Sequence, residues 1–360
     1  MVSLRRTVAA LGAVLLLMAV ASPAPCQSAG ITVVDAVGRT VKFSRPPERI
    51  VVAGKAVFML ADALYLFPEA VPRIVAIGRT VQTKLDFIPV IDPGYAHKTI
   101  LESDAGPEQI AAARPDAVIL KSSVAQSLGR SVEALGVPVV YLDFETPEQY
   151  GRDLLTLGRL FRDEERAMAL IASFRRWTDR TARALEGLAE RDKPRVLLVY
   201  YNAQGGAVAL SVPPLGWIQT TLVRLSGGIP VWKDAQIGSG WTRVSVEQIA
   251  AWDADQIYVV GYSTEAGEAV RRLRTDPQWQ ALRAVKQGKL YAFAGDFYCW
   301  DQPDPRWVLG LTWLASKVNP DRFTDLDLPR EIRSFYGEFY GMDGGTFARS
   351  VQPALGGLLP

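Results

Sequence analysis

Side chains able to carry out chemistry are scarce in this sequence, and the scarcity narrows what it can do. The chain has one His, His97, and two Cys, Cys26 and Cys299, in 360 residues. A zinc site built from Cys and His is excluded by that count, and a nucleophile would lack the usual basic partner. "VVAGKAVF" sets a Gly-Lys pair after an apolar run but lacks the spacing of a phosphate-binding loop, and no strand is followed by GxGxxG. Carboxylates are plentiful, yet an enzyme working with two of them needs a pair converging in a cleft, and no motif supplies one. A binding protein without cofactor or resident metal is therefore expected, rather than an enzyme.

Ligands of parallel α/β sheets gather at the carboxyl ends of strands. Those ends carry Lys55 after "IVVAG", Arg79 after "IVAIG" and Lys121 after "AVIL", then Tyr201, Tyr262 and Asp296 in the second half. Nearby loops add Trp217, Trp241, Arg243 and Trp300. Taken singly, a loop Lys or Arg is commonly solvated and a Trp commonly core. Three cations at successive strand ends form a less ordinary set and point to an anionic ligand, with Trp241 packing on its apolar part. His97 in "GYAHKTI" reads as a loop residue, Tyr95 stays unassigned, and Cys299 reads as a small buried hydrophobe.

Those strand ends presuppose sheets, and the hydrophobic periodicity provides them. "ITVVDAVGRTVKF" alternates as a hairpin does; "RIVVAG", "PRIVAIG", "DAVILK" and "VPVVYLD" follow as short buried strands between helical patterns such as "AVFMLADALYLF" and "AQSLGRSVEALG". A second set runs through "KPRVLLVYYN", "DQIYVVGY" and "GKLYAFAGD", with helices at "GWIQTTLVRLSG", "AVRRLRTD" and "PRWVLGLTWLASKV". Strands alternating with helices predict parallel βαβ units. Between the sets, residues 163–191 lack Pro and place Ala167, Leu170, Ile171, Phe174, Trp177, Leu185 and Leu188 at mostly helical steps. The expectation is an α/β protein of two Rossmann-like lobes with central parallel sheets, spanning 30–160 and 192–345, joined by one long α-helix and followed by a tail at 346–360.

The first 28 residues read differently: "MVSLRR" is a positive start, "AALGAVLLLMAVA" an apolar core and "SPAPCQSAG" a small-residue exit, the order of an export signal. Pro23 stands where lipoprotein signals carry Leu, so a soluble extracytoplasmic form is expected over a lipid anchor at Cys26. Losing the leader removes Arg5 and Arg6 from 40 basic residues and brings them level with 38 acidic ones. A nucleic-acid role has no electrostatic support at that balance.

"EQIAA" is written twice, after Pro107 and after Val246, each time followed by an acid (Asp116, Asp255) that opens a buried strand. Glu108 and Glu247 thus begin equivalent short helices, one per lobe. An acid in the first turn of a helix favours the positive end of its dipole and needs no further role; a shared contact is the alternative.

Taken together, "VVDAVGRTVKFSRPPERIVV", "PEQIAAARPDAVIL", the single long helix, "LSGGIPVW", "WTRVSVEQIAAWDADQIYVV" and "PDPRWVLGLTWLA" resemble the class III periplasmic substrate-binding proteins of ABC importers for ferric siderophores, haem and cobalamin. The resemblance covers nearly all of the chain after the leader. It implies a monomer with its ligand between the lobes, and Glu108 and Glu247 docking on the two subunits of a membrane permease. It also implies that Trp241 lines the cleft, as its counterpart does in cobalamin-binding relatives. Lys55, Arg79, Lys121, Trp217, Trp241, Arg243, Tyr262 and Trp300 are the expected ligand residues. With the cations at the strand ends, the expected cargo is an anionic ferric siderophore, a corrinoid being the alternative. Haem is disfavoured because its iron would want an axial His or Tyr.

Overall fold

Apolar β-branched runs form the strands of two sheets in a computed structural model that describes residues 30–356, apart from Val81, Lys84, Gly205, Gly206 and Ser263. The expected export leader with Cys26 and the end of the expected tail lie outside those residues. Among the described residues no helix is long and apolar enough to cross a membrane. The entry hairpin forms as its alternation predicts, β1 (Ile31–Val34) pairing antiparallel with β2 (Thr40–Phe43). In its turn the Asp35 carboxylate accepts from the Val37 and Arg39 amides, and Gly38 takes a left-handed φ of 80° that a side chain would resist.

The first sheet consists of β3 (Ile50–Val52), β4 (Ile74–Gly78), β5 (Thr99–Leu101), β6 (Ala117–Lys121) and β7 (Val139–Leu142). It is parallel throughout, in the order β5-β4-β3-β6-β7. The second holds β8 (Arg195–Gln204), β9 (Ala207–Val212), β10 (Ile229–Pro230), β11 (Thr242–Val244), β12 (Gln256–Val260) and β13 (Leu290–Ala292). Here β8, β10, β12 and β13 run parallel, but β9 is antiparallel to β8 and β11 to β9. The second sheet is thus mixed rather than purely parallel. Its cause is local: residues 205 and 206 alone separate β8 from β9, too few for the crossover that a parallel neighbour requires.

The doubled "EQIAA" phrase builds the same clamp in each half. Asp116 accepts from the Arg49 amide at 2.9 Å, and the Arg49 guanidinium donates to the carbonyls of Ala113 and Arg114 at the end of the Pro107–Ala112 helix. In the second half Asp255 accepts from the Arg195 amide at 2.7 Å, and Arg195 donates to the Trp252 carbonyl ending the Val246–Trp252 helix. Arg114 and Asp253 take matching left-handed turns, at φ 50° and 43°. Helix end, strand start and neighbouring strand are thereby tied in the same manner, so the repeat has a structural cause whatever its glutamates touch.

The joining helix is Glu164–Ala184, 21 residues or about 31 Å long. It is capped by Asp163, whose carboxylate accepts from the Arg166 amide at 3.1 Å. It is shorter than the expected 163–191. Gly187 adopts a left-handed φ of 77°, and a 3₁₀ turn at Glu190–Asp192 follows. Its stripe of Ala167, Leu170, Phe174 and Trp177 is buried. Arg166 donates to the Leu66 carbonyl on one side and to the Phe339 carbonyl on the other, at 2.9 and 3.1 Å. The strut therefore grips the first lobe and the Leu328–Tyr340 helix together.

A buried ionic centre adds a second tie between the lobes. Arg306, at 0% exposure, meets Asp62 of the Val57–Leu64 helix in the first lobe. From the second lobe it takes Asp296 at 3.1 Å and Asp304 at 3.7 Å, and it donates to the Tyr336 hydroxyl at 3.1 Å. Phe87 lies 4.2 Å from the guanidinium and Tyr298 4.9 Å. Burial pushes the Asp62 and Asp304 carboxyls up, and Arg306 offsets part of that.

Candidate ligand-binding site

The β8 pleat decides which of two consecutive tyrosines reaches the surface. Side chains alternate across a sheet, so Tyr201 enters the core, at 2% exposure, and Tyr200 faces out half-buried. Tyr200 pairs in register with Val260 of β12, so the loop leaving β12 brings Tyr262 to its side, ring centres 4.7 Å apart. Trp241, just before β11, packs on Tyr200 at 5.0 Å and on Tyr262 at 6.2 Å. Trp217 meets Trp241 edge-on at 5.9 Å. All four rings are half-buried. They form one apolar, polarisable surface near the carboxyl ends of β8 and β12, where a flat or apolar ligand face can pack.

Beneath the rings lies Asp301, 0% exposed, which accepts from the Tyr262 hydroxyl at 2.7 Å. Burial pushes its carboxyl up to about 6, against the hydrogen bond from Tyr262, with the Cys299 and Gln219 side chains also facing it. Tyr262 also lines a cavity of about 600 Å³ between the halves, with Gln82, Thr83 and Leu85 on one side and Phe297 and Cys299 on the other. The Thr83 hydroxyl donates to the Phe297 carbonyl across that opening, and the Tyr298 hydroxyl lies 3.2 Å from the Asp86 carboxylate.

The expected cations do not gather into one patch. Lys121 is buried, paired with Glu145 at 2.6 Å and donating to the Asp143 carbonyl, so its charge is answered within its own lobe. Arg79 is exposed at the end of β4 and paired with Glu102 at 3.3 Å. Lys55 stands exposed after β3. Arg243 is exposed on β11, in a groove beside the β8–β9 hairpin. The positive potential that the three strand-end cations would build together is reduced accordingly. Trp300 does not face the ligand surface: it is 0% exposed and belongs to the core, its carbonyl lying close against Gly310 of the Trp307–Val318 helix. Asp296 pairs with the buried Arg306 at the wall of the cavity between the halves.

Trp217, Trp241 and Tyr262 are thus brought together as candidate ligand residues. Glu108 and Glu247 are exposed in the first turns of their helices. The Glu247 carboxylate is held below its usual range by the Ser245 hydroxyl. His97 is exposed in a short 3₁₀ turn, and Tyr95 donates to Asp86 at 3.1 Å. Cys299 is half-buried at the cavity wall rather than wholly in the core. Tyr200, Asp301 and Arg306 escaped the sequence reading. The two-residue side-chain period of a strand sets Tyr200 on the opposite face from Tyr201, but the apolar run "VLLVYYN" does not say which of the two faces out, and nothing local marks the other two.

A family model described as periplasmic binding protein matches residues 50–296. The molybdate-binding protein MolA of Haemophilus influenzae is 29% identical over 102 residues, a stretch spanning 28% of this chain and 28% of that protein. Among solved structures, a periplasmic solute binding protein from Veillonella parvula superposes with a TM-score of 0.71 at 21% identity, covering 91% of this chain and 98% of that one. MolA bound to molybdate gives 0.70 at 19%, covering 87% and 98%. The CeuE nickel–histidine complex of Helicobacter pylori gives 0.73 at 16%, covering 90% and 99%.

Proposed function

This chain belongs to the periplasmic binding protein family, and from that premise we propose that it captures a metal chelate between its lobes and delivers it to the permease of an ABC importer. The observation that carries the choice of ligand is the ring cluster of Tyr200, Trp217, Trp241 and Tyr262. Four half-exposed aromatic faces suit an organic shell; a bare oxyanion such as molybdate would instead need convergent donors and positive charge. A ferric siderophore with aromatic arms fits best, its negative charge met by the exposed Lys55 and Arg79. A corrinoid is the second reading, favoured by the pairing of Lys121 with Glu145, which leaves less positive charge for an anion.

Titration with a ferric tris-catecholate, cyanocobalamin, haemin and molybdate separates these readings. The ferric chelate should bind and quench tryptophan emission, since Trp217 and Trp241 lie in the platform. Tight binding of molybdate with no response to any of the three chelates would sink the proposal.

Glu108 and Glu247 are the proposed docking contacts with the two permease subunits. Replacing both by Ala should leave ligand affinity and thermal stability unchanged, because exposed charges contribute little to folding. Stimulation of the importer's ATPase in vesicles should fall several-fold; normal stimulation by the double variant would refute the assignment.

A further inference from the structure

We propose that Asp301 is a positioning residue of the ligand platform: it never touches the ligand, but fixes the Tyr262 ring and through it the packing of Tyr200 and Trp241. The inference rests on the reading of the four rings as the ligand surface. It is carried by a chain of contacts running inward. Tyr262 lies in a loop and is half-buried, so its ring has freedom that a strand residue lacks. Its hydroxyl donates at 2.7 Å to Asp301, which is wholly buried and cannot follow a moving loop. The segment holding Asp301 is itself pinned, since a Cβ at Gly310 would collide with the neighbouring Trp300 carbonyl. From that anchor the order passes outward, Tyr262 to Tyr200 at 4.7 Å and to Trp241 at 6.2 Å, then Trp241 to Trp217 at 5.9 Å.

The carboxylate has few other reasons to be there. Burying an acid is costly unless its hydrogen bonds repay the loss of water, and such groups are retained where they fix a geometry. The groups facing Asp301 are Tyr262 from the loop after β12, Cys299 from its own segment and Gln219 from the Ile218–Leu225 helix, which starts directly after Trp217. Two of the elements that carry or adjoin the platform rings, the Tyr262 loop and the helix after Trp217, thus meet at one acid. Burial raises the Asp301 carboxyl to about 6. A carboxylate accepts a hydrogen bond more strongly than the protonated acid does. Platform order should therefore loosen as the pH falls through that value.

The test uses the full mature chain with Asp301→Asn, Asp301→Leu, Tyr262→Phe and the Asp301→Leu/Tyr262→Phe pair, first without ligand. Near-ultraviolet dichroism and acrylamide quenching of Trp217 and Trp241 report ring order directly. Asp301→Asn keeps an acceptor and should retain the wild-type signal at neutral pH while losing its change near pH 6. Tyr262→Phe removes only the hydroxyl, and is expected to fold, yet should loosen the rings as much as Asp301→Leu does, with the pair no worse than either. Ferric tris-catecholate affinity should fall about tenfold in the same three variants, the scale of one hydrogen bond to a charged group. Ring signals that ignore Asp301→Leu and Tyr262→Phe, or effects of the two that simply add, would overturn the proposal. Failure of the platform reading looks different: Trp241→Ala would then bind normally while the spectroscopic coupling of Asp301 to Tyr262 persisted. If Trp241→Ala abolishes binding and Tyr262→Phe does not weaken it, the platform stands and the role of Asp301 falls.

Discussion

Arg306→Leu should lower folding stability by about 3–5 kcal/mol at neutral pH, the usual cost of breaking a buried ion pair by removing one partner. The loss arises less from the missing attraction than from what is left behind. Asp62, Asp296 and Asp304 would share one dry site with no cation to answer them. The Tyr336 hydroxyl would also lose one of its two partners, the other being Asp296. Burial already pushes Asp62 and Asp304 up with Arg306 in place, and removing the guanidinium pushes them further. For acids that titrate higher in the folded state, the sign follows directly. Their contribution to stability is present below the ordinary aspartate range and is lost as pH rises through the raised value. The deficit of Arg306→Leu should therefore be largest near neutrality and shrink on acidification. Chemical denaturation at several pH values decides it: a loss under about 1 kcal/mol, or one that grows toward acid pH, would show that the centre is solvated. Adding Asp62→Leu to the variant should recover part of the loss, since an apolar pair can replace a buried ionic one. Because Asp62 and Arg306 come from different lobes, the same variants should also loosen the lobe arrangement that the Glu164–Ala184 helix holds.

Trp241→Ala should weaken chelate binding by about 2–3 kcal/mol, roughly 30- to 150-fold, the scale of removing one central aromatic anchor or stacking partner. Trp241 is the hub of the platform, in ring contact with Tyr200, Trp217 and Tyr262 alike. Its loss removes a contact face and also the neighbour that orders the other rings. Folding should be affected much less, because the side chain is half-buried and sits at a sheet edge. Raising the salt should leave this effect unchanged, since packing is not screened, whereas any part carried by Lys55 and Arg79 should decline. Calorimetric titration of wild type, Trp241→Ala and Arg243→Ala at low and high salt measures both parts. Arg243, exposed on β11, should matter little. Should Arg243→Ala prove the more damaging change, recognition would be electrostatic and the aromatic platform would be the wrong site.

Local patterns in the chain determined much of this. Alternating and helical periodicities mark the entry hairpin, most strands of both sheets and the joining helix, because a strand or helix exposes its own repeat of apolar positions whatever it packs against. The doubled "EQIAA" phrase likewise marks two equivalent helices, since capping and first-turn charge act within a few residues. Tertiary structure alone decided which side chains were free to act. Lys55 and Lys121 look alike in sequence, yet Glu145 claims one and leaves the other exposed. Trp241 and Trp300 both lie outside the strands and helices, yet one is half-buried at the surface and the other wholly enclosed in the core. Arg306 carried no local sign of its role, because Asp62, which makes it an interlobe tie, lies in the opposite lobe. Ion pairing and burial are properties of what the fold brings near, and a pattern of short period carries no record of contacts made across hundreds of residues.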